Sequence, residues 1–234
     1  MRVLNEKIFD LNPKKEARIY EMGEGRHKVL IIDDYFQNPR DVAQLFDELI
    51  YTKSDDIRDG SPAFRSYGSS IPHKKLAKEL FTIHFEHYKR KEIHHQPWGF
   101  DQFLDRYDEY TQDDWDRVVP HVDNWNNLRP PHYALVIYMN EKNIHGGTQF
   151  VRRVDTPTPM ETLESVDDEP LIKKSTKINP SKPLWWHESE WQQYCLIPMK
   201  FNRLISYRSN LCHAPYTNGR FYHKNPRKII SGVF

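Results

Sequence analysis

A chain of 234 residues with 38% hydrophobic and 13% aromatic side chains is long enough to bury one substantial core and does not require two. Its 34 Lys and Arg against 33 Asp and Glu leave a net charge of +1. No global field therefore draws it to a membrane surface, and only a local basic groove would serve nucleic acid, which stays open as a partner.

Residues 28–33, KVLIID, are an apolar β-branched run closed by acidic residues and predict a strand. Asn38-Pro39 then opens a helical pattern through Val42, Leu45, Phe46 and Leu49. The turn-rich stretch IRDGSPAFRSYGSSIP precedes a second helical pattern on Leu76, Leu80, Phe81, His84, Phe85 and Tyr88. From Gly99 onward, short runs separated by turn residues predict many strands without intervening helices: FDQFLDRY, ALVIYMN, TQFVRRV, YCLIPMK, RLISY and KIISGVF. That pattern points to a sandwich or jelly roll. The expected class is α+β, mainly β, with one domain over 1–234: a strand-and-helix support region at 1–98 packed on a core at 99–234. Residues 155–192, rich in proline and mixed charge, are too long for an ordinary strand connection and read as an insertion, either a lid or a surface loop.

Two cysteines, Cys195 and Cys212, imply neither a disulfide framework nor a structural zinc site and suit a reducing compartment. MRVLNEKIFDLNPKK has no apolar stretch of signal-peptide length, and no window approaches the ~20 apolar residues of a membrane span. A soluble, cytoplasmic protein is expected, of unspecified oligomeric state.

The residues that carry chemistry are His121 and Asp123, in PHVDNW, and His213, in SNLCHAP. Residues i and i+2 of an extended segment share a face, so His121 and Asp123 can address one ion while Val122 turns into packing. Two imidazoles and a carboxylate make the ligand set of a mononuclear non-heme Fe(II) site with open positions. Twelve histidines nevertheless offer many accidental partners, His84 and His87 among them, and an HxD pair alone is a weak signal.

Taken in order, PHVDNW, ALVIYMNE, HGGTQF, FNRLISYRSNLCHAP and RKIISGVF resemble the blocks of the Fe(II)/2-oxoglutarate-dependent dioxygenase superfamily, nearest to its prolyl-hydroxylase-like branch. The resemblance implies a double-stranded β-helix (cupin-like jelly roll) core with the N-terminal helices packed on it. It implies His121, Asp123 and His213 as ligands of Fe(II), which would bind 2-oxoglutarate as co-substrate and dioxygen. It further implies Arg227 as the fork for the far carboxylate of the co-substrate, Ser231 as its hydroxyl partner, and Tyr138 and Tyr107 as phenols lining that pocket. Lys228, the neighbouring cation, should project to the opposite face. Gly146 and Gly147 fit a tight turn before a strand. The carboxylate of Asp123, which halogenating relatives lack, favours hydroxylation.

The resemblance implies hydroxylation of a C–H bond in an amino acid, a peptidyl side chain or a small metabolite. Asn124, Trp125, Trp185, Trp186 and Arg208 are the candidate substrate residues, with His187 and Trp191 completing an aromatic wall over the mouth. Nucleobase oxidation on the same core, a zinc hydrolase and a non-catalytic cupin-like module are the rival readings. The hydrolase leaves Arg227 and Ser231 without a task.

Overall fold

The computed structural model describes residues 6–23, 26–53, 63–66, 72–88, 99–103, 120, 122–123, 133–142, 146–153, 191–216 and 226–233. A 3-10 turn at Glu6–Phe9 leads into strands β1 (Ala17–Met22) and β2 (His27–Ile32), then helix α1 (Pro39–Glu48). Strands β3 (Thr52–Lys53) and β4 (Ala63–Ser66) precede helix α2 (His73–Tyr88). Seven strands complete the chain: β5 (Gly99–Phe103), β6 (Tyr133–Tyr138), β7 (Gly147–Arg153), β8 (Trp191–Pro198), β9 (Arg203–Arg208), β10 (His213–Tyr216) and β11 (Arg227–Val233).

The strands form two antiparallel sheets, one ordered β1-β2-β9-β6-β11-β5-β4-β3 and the other β10-β7-β8. From β5 to β11 the chain crosses repeatedly between them, so residues distant in sequence meet in the space between the sheets. All six residues of β6 are buried, as expected of a strand covered on both faces. Its odd and even positions go to different cores. Ala134, Val136 and Tyr138 join Ile205, Tyr207, Ile229, Phe150 and Ile197 between the sheets. Tyr133, Leu135 and Ile137 join Leu30, Ile32, Leu204 and Ile230 in a second core, with Val42, Leu45 and Phe46 of α1 and Leu76, Ala77 and Leu80 of α2. Period two in the strands and period 3.6 in the helices thus feed the same buried layer.

Pro39 occupies the first turn of α1 and Asp41 places an acid there, both favourable at a helix N-terminus. Asn202 ties this layer to the sheet. In a left-handed conformation (φ 59°), its backbone N–H donates to Tyr138 O at 2.8 Å and its side chain makes both amide hydrogen bonds to the main chain of Phe36. Nearby, Arg203 donates twice to Asp33, at 2.6 and 3.1 Å. That hydrogen bonding, opposed by partial burial and aided by Lys200, holds the Asp33 carboxyl below its usual range.

Two sequence expectations need correction, and one strand went unpredicted. Strand β4 lies inside the stretch read as turns, because its partner β5 supplies the ladder through Ala63↔Phe103 to Ser66↔Phe100. Strand β1 carried no clear signal; it is an edge strand whose side chains are largely exposed. Trp191 and Gln192, assigned to the end of the insertion, open β8 and pair with Arg153 and Arg152. The rest of the insertion lies outside the described residues. Among the described residues no helix is long and apolar enough to cross a membrane.

Candidate functional site

Strand alternation places Tyr207, Tyr138, Arg227 and Ser231 on the side of the large sheet that faces β7 and β10. His213 opens β10 opposite Phe150 of β7, and its ring lies between the sheets at 5% exposure. Its Nδ1 is 2.9 Å from Leu211 O. A carbonyl only accepts, so Nδ1 carries a proton and, in the neutral ring, the lone pair sits on Nε2. That lone pair faces Asp123, whose Oδ2 is 3.5 Å from His213 Nε2.

This spacing is informative. An imidazolium–carboxylate hydrogen bond would close to about 2.7–2.9 Å. Two donors held by one ion at about 2.0–2.2 Å stand roughly 3.0–3.5 Å apart for ligand angles of about 90–110°. A ligating histidine that donates its other N–H to a backbone carbonyl is also the usual arrangement around metals. The pair therefore fits a cation between them. Among the described residues no three His, Cys, Asp or Glu side chains group closely enough to hold an ion; His121, the proposed third donor, lies outside them.

The short turn between β9 and β10 gauges the pair. Leu211 N–H closes the turn on Arg208 O at 3.0 Å, and Asp123 N–H donates to Ser209 O at 2.8 Å, while Leu211 O receives His213 Nδ1. Val122 and Cys212, the chain neighbours of Asp123 and His213, pack with Val151 and Trp191 in a separate buried cluster. Trp191 thus anchors the start of β8 by packing.

The Arg227 side chain is 1% exposed. Its Nη2 donates to Gly147 O at 3.1 Å, and the guanidinium carbon lies 5.6 Å from the centre of the Tyr138 ring, within cation–π range. The Tyr138 hydroxyl shares a 2.7 Å hydrogen bond with the Thr148 hydroxyl. Burial raises the Tyr138 phenol above its usual range, with the Arg227 charge opposing, so it remains an O–H donor near neutrality. A cation and two hydroxyls thus converge on one buried spot, a donor set suited to a carboxylate. Ser231 lies two positions past Ile229 on the same face of β11, half-buried. Lys228 turns the other way, to Asp47 at 2.6 Å and over Phe46.

Two backbone devices place these groups. Asn140 donates to Pro226 O and accepts from Lys228 N–H, each at 2.7 Å, clamping the end of β6 to the start of β11 on both sides of Arg227. Asn140→Ala would strand both main-chain groups, and an equilibrium denaturation midpoint is expected to register a loss of about 2 kcal/mol. Gly147 has φ 151°, and a Cβ there would collide with the Ile197 carbonyl. The Gly147→Ala variant should lose about 2–3 kcal/mol, visible as a lower melting temperature.

Arg208 ends β9 at 208, one position past Tyr207, and so projects from the opposite strand face, shared with Leu204 and Ser206. Tyr107, Asn124, Trp125, Trp185 and Trp186 lie outside the described residues. Thr148, Asn140 and Tyr207 went unassigned in the sequence. Their types are common in any core, and only alternation with Phe150, Tyr138 and Ile205 hinted at a shared inner face. A groove of about 540 Å³ between β1, β2 and the end of β8, rimmed by Lys14, Glu16, Arg18, Asp33 and Arg203, is elsewhere.

Compared with known proteins, the chain is similar over residues 113–228 to a family of unknown function (DUF6445). That span includes His121, Asp123, Tyr138, His213 and Arg227, and stops short of Ser231. No curated protein matches the chain.

Proposed function

We propose that this protein is an Fe(II)- and 2-oxoglutarate-dependent dioxygenase that hydroxylates a C–H bond of an amino acid, a peptidyl side chain or a small metabolite. The observation that carries the reading is the His213–Asp123 pair, 3.5 Å apart with the His213 lone pair turned inward, on the same inter-sheet surface as the buried Arg227 and Tyr138. The strand orders β9-β6-β11-β5 and β10-β7-β8 support a double-stranded β-helix core, with Asp123 bonded to Ser209 in the turn before β10.

In this reading His121, Asp123 and His213 hold Fe(II). Together with 2-oxoglutarate and dioxygen, the bound metal supplies the oxidation, in which the keto acid leaves as succinate and carbon dioxide and the substrate gains a hydroxyl. The chain itself binds and orients. Arg227 holds the far carboxylate of the keto acid, with the free O–H of the Tyr138–Thr148 pair donating beside it, and Leu211 O keeps the His213 tautomer fixed. The apolar lining from Phe150, Ile229 and Ile205 excludes water and so strengthens each of these polar contacts.

Anaerobic titration with Fe(II) and 2-oxoglutarate should produce the weak visible charge-transfer band of a chelated keto acid, followed by succinate when oxygen is admitted. Neither band nor succinate from wild-type protein would overturn the proposal.

A further inference from the structure

We infer that Tyr207 is a positioning residue for the candidate metal site: its ring fixes the His213 imidazole in the orientation that aims Nε2 at Asp123. The inference rests on the metal reading above and adds how the chain enforces it. A hydrogen bond from Nδ1 to Leu211 O sets the tautomer and anchors one point of the ring. That bond by itself does not set the plane of the imidazole, and a ligand ring whose plane tilts loses its line to the ion.

Aromatic packing restricts that tilt: Phe150 lies 6.3 Å from the His213 ring at 43°, and Tyr207 packs closer. Its ring centre is 4.8 Å from that of His213, at an interplanar angle of 67°, the edge-to-face packing that aromatic pairs prefer. Tyr207 is itself immobilised. Phe150 meets it edge-on at 4.9 Å and 89°, its side chain is 1% exposed, and its backbone pairs with Val29 on one side and Ala134 on the other. The small Ala134 leaves room for the ring beside it on the same face. The hydroxyl lies within electrostatic reach of Asp123, Tyr138 and Arg227, and burial, the largest effect, keeps it protonated. Strand β9 therefore carries the wall against His213 and leads directly into the turn that holds both His213 and Asp123.

Co(II) titration followed by visible absorption tests this on wild type, Tyr207→Phe and Tyr207→Leu, with folding checked by circular dichroism. Tyr207→Phe keeps the ring and should bind Co(II) like wild type. Tyr207→Leu should bind about 10–100-fold more weakly, as when a supporting partner of a metal ligand is lost. In the metal-free variant, NMR of the His213 ring should show exchange between ring orientations, with Nδ1–H retained, where wild type shows one orientation. A folded Tyr207→Leu with wild-type affinity and one ring orientation overturns the inference while leaving the proposed function standing. Should that variant not fold, Tyr207→Met, closer in volume, carries the same expectation. Wild-type protein that binds no Co(II) overturns the metal reading and this inference with it.

Discussion

His213→Ala is expected to eliminate both the charge-transfer band with 2-oxoglutarate and succinate formation, and to weaken divalent-metal binding by more than roughly 100-fold. Supporting groups around a metal typically cost about 10–100-fold when removed, and a direct ligand must cost more. The substitution also takes away the Nδ1–H donated to Leu211 O and the ring packed on Tyr207, so part of its effect falls on stability. Asp123→Asn separates the two contributions. It keeps side-chain volume and the main-chain bond to Ser209 but removes the anionic donor. Isothermal titration with Fe(II) under anaerobic conditions should show a comparable loss of affinity, with little change in the unfolding midpoint. Wild-type metal affinity in either variant would show that the His213–Asp123 pair is a structural contact.

Arg227→Ala should raise the 2-oxoglutarate concentration needed for half-maximal turnover by about 30-fold or more while leaving Fe(II) affinity within a few-fold of wild type. Truncating one partner of a buried, hydrogen-bonded charge pair costs about 2–5 kcal/mol, and 2 kcal/mol corresponds to about a 30-fold change in affinity. The native side chain is held by Gly147 O and the Tyr138 ring, and the Asn140 clamp positions its backbone independently of it. The strand should therefore survive the truncation. Arg227→Lys keeps the charge without the planar fork and should recover only part of the loss, because bidentate recognition needs two parallel donors. Equal losses in metal and co-substrate binding would identify Arg227 as a structural residue.

Much of this architecture could be read locally. The pattern at Val42, Leu45 and Phe46 located α1, because all three face one core at helical spacing. ALVIYMN located β6, because a strand buried on both faces has an uninterrupted apolar sequence. Alternation also separated Arg227 from Lys228, and the two point to opposite faces. Where pairing partners supply the stability, the local signal failed. Strand β4 hides among turn residues, and Trp191 sits among charged neighbours at the start of β8, where its burial comes from Val122, Val151 and Cys212.

By itself, the sequence determined the element types over most of the described chain and the opposite facing of Arg227 and Lys228 on β11. Those properties follow from residue chemistry and from periods of two and 3.6, which act over a few neighbouring positions. Only the tertiary structure decided that Asp123 and His213 stand 3.5 Å apart and that Leu211 O selects the His213 tautomer. It alone brought Thr148 to Tyr138 and Tyr207 against His213, and set Arg208 on the far face of its strand. Such relations depend on the order of strands in two facing sheets, which brings together residues up to ninety positions apart in a way that no local pattern encodes.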